Sequence, residues 1–464
     1  MAFKMTRHNL YDYDVYPKVV RAGVKTCITV RPLGARCPFE PGRSYKMIVK
    51  AIAGGRPSDH PASASYKELT VPCEADGCLR FENAFETEQE YLLDIYSGEQ
   101  RLERFSVYCV EKDLWGMYPF IGDLHMHTTR SDGSQNPVTV CANYRRYGYD
   151  FMVVSDHTRY YPSLEAKAFY ANVPTELNIV AGEEVHMPRV KGMPVAPHVV
   201  NFGGRYSVNA LVERPELDEW ARKPENRSLD GTCPEIMTQE QWDSLITSLA
   251  EKTEVPADVD AVPAAALKWI YDEIRRAGGL AIYPHPTWIS DTFHVPDAMH
   301  KYIVENRLFD AFEVLGGENY FEQNGYQTVQ YYEDRARGYN YPVVGSTDSH
   351  SSNPTNRNAL ICSTIVFAPE NTREALIDSV KAFRSVAVDT ISTEFRLVGE
   401  MRYVRYGCFL LNNYFPLHDE VCFEEGRLMK QVANGTEEEK QDALKTLSVM
   451  VGRVGKMMKK YFAI

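Results

Sequence analysis

Short apolar runs alternate with amphipathic segments through the middle of the chain, and this alternation predicts its architecture. Runs such as YPFIGDLHMH, DFMVVSDH and LAIYPHP have the length of buried strands. VPAAALKWIYDEIRRAGG has apolar residues three and four positions apart and predicts a helix that ends at Gly278 and Gly279. Strands that alternate with helices favour parallel βα units. We therefore assign an α/β domain to residues 118–394.

The segments on either side of this domain have different patterns. Residues 1–117 contain short β-branched and aromatic runs, such as KTCITVRPL and RFSVYCVEK, and predict a β-sandwich domain. Residues 395–464 predict a helical extension that ends in one amphipathic helix, which Thr436 caps. We expect the apolar stripe of this helix to pack on the protein's own surface, with a homo-oligomer contact as the alternative.

A polar segment at about residues 205–260 interrupts the alternation. It includes RPELDEWARKPENRSLDGTCPEIMTQEQWDSL, which has neither strand nor helix periodicity over most of its length. We interpret it as an insertion beside the functional site. A surface excursion and a lid over the site are the two alternatives for its role.

Composition and charge narrow the class of protein. The chain of 464 residues has 51 Lys and Arg against 63 Asp and Glu, and its formal net charge is -12. This balance argues against nucleic-acid binding, which needs a basic surface. The N-terminal stretch lacks a signal-peptide core and no apolar run reaches membrane-spanning length, so we expect no membrane association. The ten cysteines are scattered without a C-x-x-C pair, which favours reduced thiols and predicts a cytoplasmic protein.

Side chains that bind metals gather where the predicted strands end. His125 and His127 are one residue apart, so both imidazoles lie on one face of an extended strand, and Asp348 and His350 repeat this spacing. The other strand ends add further candidates: Asp132, His157, Glu183, Glu184, His186, His198 and His285. The carboxyl ends of parallel strands meet at one edge, where so many unpaired polar groups would be costly unless metal ions bind them. Ligands of nitrogen and oxygen suit Zn, Mn or Fe, and this set is large enough for two or three divalent ions.

Two acids close to these histidines have either a supporting or a structural role. Asp123 shares a face with His125, and Asp156 precedes His157. Each either accepts an imidazole N–H and so orients a metal ligand, or makes a cap or ladder hydrogen bond. Both alternatives are open from the residues alone.

Together, the segments DLHMHTTRSDG, VVSDH, GEE, YPHP and GSTDSH resemble the motifs of the PHP (polymerase and histidinol phosphatase) superfamily. The resemblance covers about residues 119–350, and its first segment looks like the carbaryl-hydrolase-like branch, in which a β-rich module can precede the barrel. It implies a distorted seven-stranded, TIM-like (βα) barrel with a trinuclear metal site. The metal ligands that it implies are His125, His127, Asp132, His157, Glu184, His198, His285, Asp348 and His350.

Three positions of this implied set vary or have a competing residue nearby. Asp132 stands where many members of the superfamily carry a histidine, a variation that can alter metal preference. Glu184 fits the G-x-E pattern of the superfamily, but Glu183 replaces it if the strand is bulged there. His198 competes with His186, because the spacing from the glutamate varies within the superfamily.

A metal site of this kind predicts a hydrolase with a small-molecule substrate that carries a phosphate. We expect it to hydrolyse a small phosphate ester, with a monoester as the simplest case, through a metal-bridging hydroxide that attacks in line. Arg159 and Arg357 are the candidate cations for the phosphoryl oxygens, with ordinary salt bridges as the alternative for each. His186 is the candidate proton donor to the leaving group, with a structural role as the alternative.

Other functions use the same residues differently. The resemblance to the carbaryl-hydrolase-like branch makes hydrolysis of a carboxyl ester, a carbamate or an amide the runner-up. A pocket rich in basic groups would favour the phosphate ester, and an apolar pocket would favour the runner-up. A barrel that only binds metal or a partner is disfavoured by the complete set of ligands, and DNA proofreading by the length and acidity of the chain.

Overall fold

The computed structural model describes residues 9–34, 39–56, 58–195, 197–215, 217–317, 321–355, 358–391 and 395–462. The strands are β1 (Tyr13–Tyr16), β2 (Val19–Arg21), β3 (Lys25–Pro32), β4 (Ser44–Ala51), β5 (Tyr66–Pro72), β6 (Leu79–Ala84), β7 (Gln89–Ser97), β8 (Gln100–Val110), β9 (Tyr118–Asp123), β10 (Phe151–Val153), β11 (Asn178–Val180), β12 (Gly182–Val185), β13 (Val199–Phe202), β14 (Leu280–Tyr283), β15 (Ala311–Leu315), β16 (Val343–Gly345), β17 (Cys362–Ala368), β18 (Ser385–Asp389) and β19 (Arg396–Val398). The helices are α1 (Pro137–Arg146), α2 (Tyr161–Tyr170), α3 (Glu219–Arg222), α4 (Gln239–Ala250), α5 (Ala261–Arg276), α6 (Asp297–Glu305), α7 (Phe321–Ala336), α8 (Arg373–Lys381), α9 (Met401–Asn413), α10 (Phe415–Asn434), α11 (Glu437–Met450) and α12 (Arg453–Tyr461).

The chain divides into two compact units, which we call the β unit and the α/β unit. The described residues of the β unit lie within Lys4–Tyr118, Met401–Val421 and Gly452–Ile464. Those of the α/β unit lie within Pro119–Glu400 and Cys422–Val451. The C-terminal helices are therefore shared between the two units: α9 and α12 belong to the β unit and α11 to the α/β unit.

Two sheets of the β unit enclose one apolar core. Their strand orders are β1-β3-β6 and β2-β8-β7-β4-β5, and both sheets contribute side chains to the core, such as Val30 and Leu93. In β4, Tyr45, Met47 and Val49 are buried at every second position, which is the period of a strand with one face on a core. Helix α9 covers part of this unit, where Tyr406 stacks on Tyr108 with ring centroids 4.7 Å apart.

The C-terminal extension is helical, but its predicted last helix is two helices. Thr436 caps α11 as predicted, and its side chain and that of Glu439 form a reciprocal capping box. The helix ends at Met450 because Gly452 has a left-handed φ of 88°, and α12 begins at the next residue. The prediction of one continuous amphipathic helix was therefore wrong. None of the helices in the described ranges combines the length and the apolarity that crossing a membrane requires.

Two sheets form the framework of the α/β unit, with the strand orders β11-β10-β9-β17-β18-β19 and β12-β13-β14-β15-β16. Strands β9, β10 and β11 run parallel, as do β14, β15 and β16. The pairs β12–β13, β13–β14, β17–β18 and β18–β19 are antiparallel. The mixed α/β architecture is confirmed, but wholly parallel pairing was wrong. The single seven-stranded barrel is not confirmed, because neither sheet of the described residues closes on itself.

Short backbone bridges beyond the strand ends bring the sequence motifs together. After β9 and β16, His127 N–H donates to Ser349 O at 2.9 Å, and Asp348 N–H donates to His125 O at 2.9 Å. Thr158, which follows β10, donates its N–H to O of Glu184 in β12 at 3.0 Å. The loops that carry the candidate ligands are therefore fixed to one another by backbone hydrogen bonds, not only by side chains.

The predicted insertion contains α3 and α4 and packs on the rest of the α/β unit. Trp242 of α4 is fully buried, and its ring centroid lies 4.9 Å from that of Trp269 in α5. Its indole N–H donates to Pro188 O at 3.1 Å. This segment is therefore a folded part of the unit, and its role as a lid stays a prediction.

Candidate metal centre

The predicted ligands converge on one cavity of the α/β unit, with a volume of about 320 Å³. The residues that line it are Asp132, His157, His186, His198, His285, Trp288, Asp348 and His350. His125, His127 and Glu184 are completely or almost completely buried and contact these residues directly. The structure therefore brings together every metal ligand that the resemblance implies, and His186 with them.

Glu184 is the hub of one half of the cluster. Its Oε1 lies 2.9 Å from His198 Nδ1 and 3.2 Å from His285 Nε2. Its Oε2 lies 3.1 Å from His186 Nε2 and also contacts His157 Nδ1. A carboxylate that faces several imidazoles through both of its oxygens has the geometry of a bridging ligand.

The neighbouring Glu183 has a different environment, which separates the two candidates. Glu183 is also fully buried, but it accepts hydrogen bonds from Ser207 Oγ and Val208 N–H, and Asn209 Nδ2 donates to it at 2.9 Å. Successive residues of a strand point to opposite faces, so only one of the two acids can reach the cavity. That acid is Glu184, while Glu183 anchors the start of the insertion.

Asp348 is the hub of the other half of the cluster. Its Oδ1 lies 2.8 Å from His127 Nε2 and 3.3 Å from His125 Nε2, and its Oδ2 lies 3.9 Å from His285 Nε2. The backbones of Asp348 and His285 have left-handed φ values of 48° and 27°. Such conformations cost about 1–3 kcal/mol each and cluster at functional sites. Two of the candidate ligands are thus held in place by the surrounding fold against their local preference.

Asp132 closes the third side of the cluster. Its Oδ2 lies 3.4 Å from both His157 Nε2 and His350 Nε2. The loop that carries Asp132 turns back tightly, because a Cβ on Gly133 would lie 2.7 Å from His127 O. Glycine is therefore required next to Asp132 for this close approach.

Three residues of the site were missed in the sequence. Glu313, in the middle of β15, is fully buried, and its Oε2 lies 3.0 Å from His125 Nδ1. His294 lies beside His198 and His285, and its Nε2 accepts a hydrogen bond from His198 N–H at 3.2 Å. Trp288 lines the cavity. An acid inside the apolar run AFEVL was an available signal for Glu313, but nothing in the spacing of the other two marks them.

His294 reaches the site because its loop folds back on itself. His294 N–H donates to Trp288 O at 2.8 Å, and Val295 N–H donates to Pro286 O at 2.9 Å. Ile289 and Phe293 form an antiparallel bridge within the loop that these two hydrogen bonds close. The approach of His294 to His285 is therefore a property of the folded loop.

The sequence left two alternatives for Asp123 and Asp156, the orientation of a histidine or a hydrogen bond to the backbone. The structure shows hydrogen bonds to the backbone for both. Asp123 accepts hydrogen bonds from Thr347 N–H at 3.0 Å and from His125 N–H at 3.2 Å. Asp156 accepts from Thr128 N–H and Ser131 N–H, both at 2.9 Å. Each carboxylate thus fixes the backbone of a loop that carries ligands, whereas Glu313 contacts the imidazole of His125.

The three candidate catalytic residues have different positions. His186 lines the cavity and stacks on His198 with ring centroids 3.6 Å apart. Arg159 lies outside the lining, where its Nε donates to Asp218 Oδ2 at 3.1 Å and its Nη1 to His157 O at 3.3 Å. Arg357 lies outside the described residues. In the described lining of the cavity there is no arginine or lysine.

Charges within the cluster shift the pKa values of its members strongly. Burial disfavours the charged form of His157, but Glu184 and Asp132 outweigh it and raise the pKa of His157 to about 10. Burial lowers the pKa of His186 to about 3 and that of His294 to about 2. Although burial opposes ionisation of Glu184, the surrounding imidazoles hold the pKa of its carboxyl well below the usual range. The cluster therefore contains ionised carboxylates among imidazoles, several of which stay neutral at neutral pH.

The donor atoms fit divalent metal ions. Several groups of residues offer ligand atoms that lie within 4.8 Å of one another. The groups are His127 with Asp132, His157 and His350; His125 with His127 and Glu184; His125 with His285 and Asp348; and His198 with His285 and His294. His125 Nε2 is buried and faces two carboxylates, yet it has no hydrogen-bond partner among the described residues. A buried polar atom without a partner is costly, and metal ligation would remove that cost.

Comparisons with known proteins give matches to solved structures alone. No family model matches the chain, and no curated protein matches it. A two-domain protein from Bacteroides vulgatus that contains a predicted PHP-like metal-dependent phosphoesterase matches with 15% identity and a TM-score of 0.36; the match covers 59% of this chain and 65% of that one. This chain thus spans less than two thirds of that protein. An amidohydrolase from Chromobacterium violaceum matches with 16% identity and a TM-score of 0.30, over 50% of this chain and 87% of that one.

Proposed function

We propose that the protein is a metal-dependent hydrolase that cleaves a small phosphate ester, with a monoester as the simplest substrate. The observation that carries this proposal is the convergence of imidazoles and carboxylates on one cavity, where the buried His125 Nε2 faces Glu184 and Asp348 without a hydrogen-bond partner among the described residues. The residues that would hold two or three divalent ions, Zn, Mn or Fe, are His125, His127, Asp132, His157, Glu184, His198, His285, Asp348 and His350.

The charge of the site supports a phosphate ester over a neutral substrate. Divalent ions held there would supply a water of lowered pKa and stabilise negative charge on the substrate oxygens. Three such ions would bring more positive charge than Asp132, Glu184, Asp348 and one bound hydroxide neutralise, whereas two ions would only balance these groups. A site with a net positive charge binds an anionic ester and the charge that develops on it.

The residues of the chain itself hold and shape the site. Glu313 accepts from His125 Nδ1 and so directs Nε2 of the same ring toward the cavity. Trp288 supplies an aromatic surface to the lining of the cavity. His186, whose ring reaches the cavity, is the proposed partner of the leaving oxygen; because burial lowers its pKa to about 3, its neutral ring would donate a hydrogen bond to that oxygen rather than a proton.

Arg159 is the proposed cation for the substrate, and it acts from the edge of the site. Its side chain is 23% exposed and is held by Asp218, so a substrate anion would compete with that carboxylate for the guanidinium. The contribution of Arg159 is therefore smaller than that of an arginine inside the cavity.

One observation favours a second candidate function, the hydrolysis of a carboxyl ester, a carbamate or an amide. The described lining of the cavity includes Trp288 and no lysine or arginine. Such a wall accommodates an apolar substituent of an ester without placing a cation against its carbonyl group.

A paired assay distinguishes the two functions. Protein loaded separately with Mn, Zn and Fe(II) is assayed with p-nitrophenyl phosphate and with a naphthyl ester and a naphthyl carbamate. His127→Ala removes a ligand, and His60→Ala, at an exposed histidine of the β unit, is the matched control. We expect phosphate release that is lost in His127→Ala and kept in His60→Ala. Cleavage of the naphthyl compounds without phosphate release would establish the second candidate instead.

A further inference from the structure

A second cavity lies in the insertion, and its walls combine guanidinium groups with apolar surface. Its volume is about 310 Å³, at the lower end of the range for ligand pockets. Arg214, Arg222 and Arg227 line it, together with apolar residues that include Leu217 and Ile236. Three arginines around one cavity contrast with a chain whose formal net charge is -12.

Arg227 is the least satisfied of these arginines. Its Nε and Nη1 are buried and have no hydrogen-bond partner among the residues that the structure describes. By contrast, Arg214 donates through Nη1 to His186 O and to Asn209 Oδ1. Buried guanidinium N–H groups without an acceptor are costly, and a rotation of the half-buried Arg227 side chain toward an anion in the cavity would supply one.

The remaining lining residues indicate the kind of anion. The described acidic residue of the wall, Glu213, is exposed, so the wall keeps an excess of positive charge. Leu217 is buried, whereas Ile236 is 41% exposed although its side chain is large and apolar. A ligand with an apolar body would cover Ile236 while its head group pairs with the arginines.

We propose that this cavity binds a small organic anion, in which a carboxylate, sulfonate or phosphate group pairs with Arg227 and Arg222 and an apolar body packs on Ile236. The cavity is distinct from the metal centre, since the two have no lining residue in common. Arg214 of one cavity bonds to the backbone of His186 in the other, so they share a wall. The proposal does not depend on the hydrolase function, because it requires no metal.

Calorimetric titration of the full chain tests the proposal. The probes are 2-naphthalenesulfonate and 2-naphthoate, which distinguish the head groups, and neutral 2-naphthol. The variants are Arg227→Met and Arg222→Met, which remove the charge and keep an apolar stem. Arg205→Met, at an exposed arginine of the same insertion that does not line the cavity, is the matched control.

We expect at least one of the two anions to bind, about tenfold or more weaker in Arg227→Met and several-fold weaker in Arg222→Met, with Arg205→Met unchanged. Arg222 is exposed, so its replacement tests the proposal even if Arg227→Met does not fold. Equal binding of 2-naphthol, equal weakening in Arg205→Met, or no binding of either anion would overturn it. So would binding that both variants retain and that is lost after dialysis against a chelator, because the anion would then occupy the metal centre.

Discussion

Buried carboxylates occur in both units, but their partners differ. In the β unit, the side chain of Asp94 has no exposed surface and pairs with Lys50 Nζ at 2.8 Å and with Arg104 through both of its oxygens. In the α/β unit, the side chain of Glu184 is buried to the same extent and its ion-pair contacts in the described structure are to histidines. Asp94 has permanent cations as partners, whereas Glu184 has groups that bind either a proton or a metal ion.

This difference in partners suits Asp94 to a structural role and Glu184 to metal binding. A buried carboxylate with a lysine and an arginine beside it is electrostatically complete in the protein alone. Imidazoles supply positive charge only when protonated, and several of those around Glu184 have pKa values that burial lowers, such as His186 and His198. We propose that divalent ions complete the cluster by taking the place of protons.

Replacing the hub of the cluster is the largest test of this comparison. Glu184→Gln keeps the shape of the side chain but removes the charge that six imidazoles face. We expect metal content to fall and hydrolysis to drop at least about a hundredfold, because even the loss of a group that only orients a ligand costs about 10–100-fold. Metal analysis and kcat/KM measure these effects. Full activity in Glu184→Gln would show that the carboxylate is not a ligand.

The corresponding change in the β unit is expected to lower stability and to leave metal content and activity unchanged. Asp94→Asn removes the charge between Lys50 and Arg104 and replaces one of the two acceptor oxygens by an NH2 group, and we expect a loss of about 2 kcal/mol in the free energy of unfolding. Metal content and kcat/KM stay unchanged, since Asp94 and the cluster belong to different units. Denaturant unfolding and metal analysis of the same sample check both. A loss of metal without a loss of stability would contradict the comparison.

The pH dependence of stability sharpens the role of Asp94. Burial opposes its ionisation, but Arg104 and Lys50 hold the pKa of the carboxyl below its ordinary value of 3.8. Because the folded pKa is depressed, the stabilisation is fully present above that value and is lost as the pH falls through the folded pKa. The difference in unfolding free energy between the wild type and Asp94→Asn should therefore shrink below about pH 4. A constant difference down to pH 2 would contradict this account.

Glu313→Gln is expected to have a smaller effect on the metal centre. Glu313 contacts His125 Nδ1, whereas Nε2 of the same ring faces Glu184 and Asp348, so we expect Glu313 to orient a ligand rather than bind an ion. We expect metal affinity to fall about tenfold with the fold retained. Competition with a chromophoric chelator measures this affinity. Unchanged affinity would make Glu313 a structural acid like Asp123.

The smallest expected effect belongs to the cation at the edge of the site. Arg159→Met should raise the KM for a phosphate monoester about threefold while kcat changes little, since Arg159 is shared with Asp218. Asp218→Asn is the paired variant, because it frees the guanidinium and should lower KM. If both variants had the kcat and KM of the wild type, Arg159 would have a structural role alone.

The positions at strand ends could be predicted from the sequence because they depend on local geometry. One-residue spacing places His125 and His127 on one face of an extended segment, and the motif order predicted that separate loops would meet. The alternative between Glu183 and Glu184 needed the structure, because it depends on which face of β12 meets the insertion.

Other features depend on long-range packing and could not be predicted in the same way. His294 reaches the site through a loop that folds back after β14, and β12 pairs with β13 in the antiparallel direction, which the alternation of strands and helices did not specify for two successive strands. The break at Gly452 was available as a signal, but the apolar stripe continued across it and concealed the end of the helix.

The most direct test of the central claim is the metal content of the purified full chain, measured by mass spectrometry alongside Glu184→Gln and His60→Ala. We predict two or three divalent ions per chain in the wild type and in His60→Ala, and a loss of at least one ion in Glu184→Gln. Failure of the wild type to bind stoichiometric Zn, Mn or Fe when these ions are supplied would contradict it. Metal that is retained unchanged in Glu184→Gln would do the same.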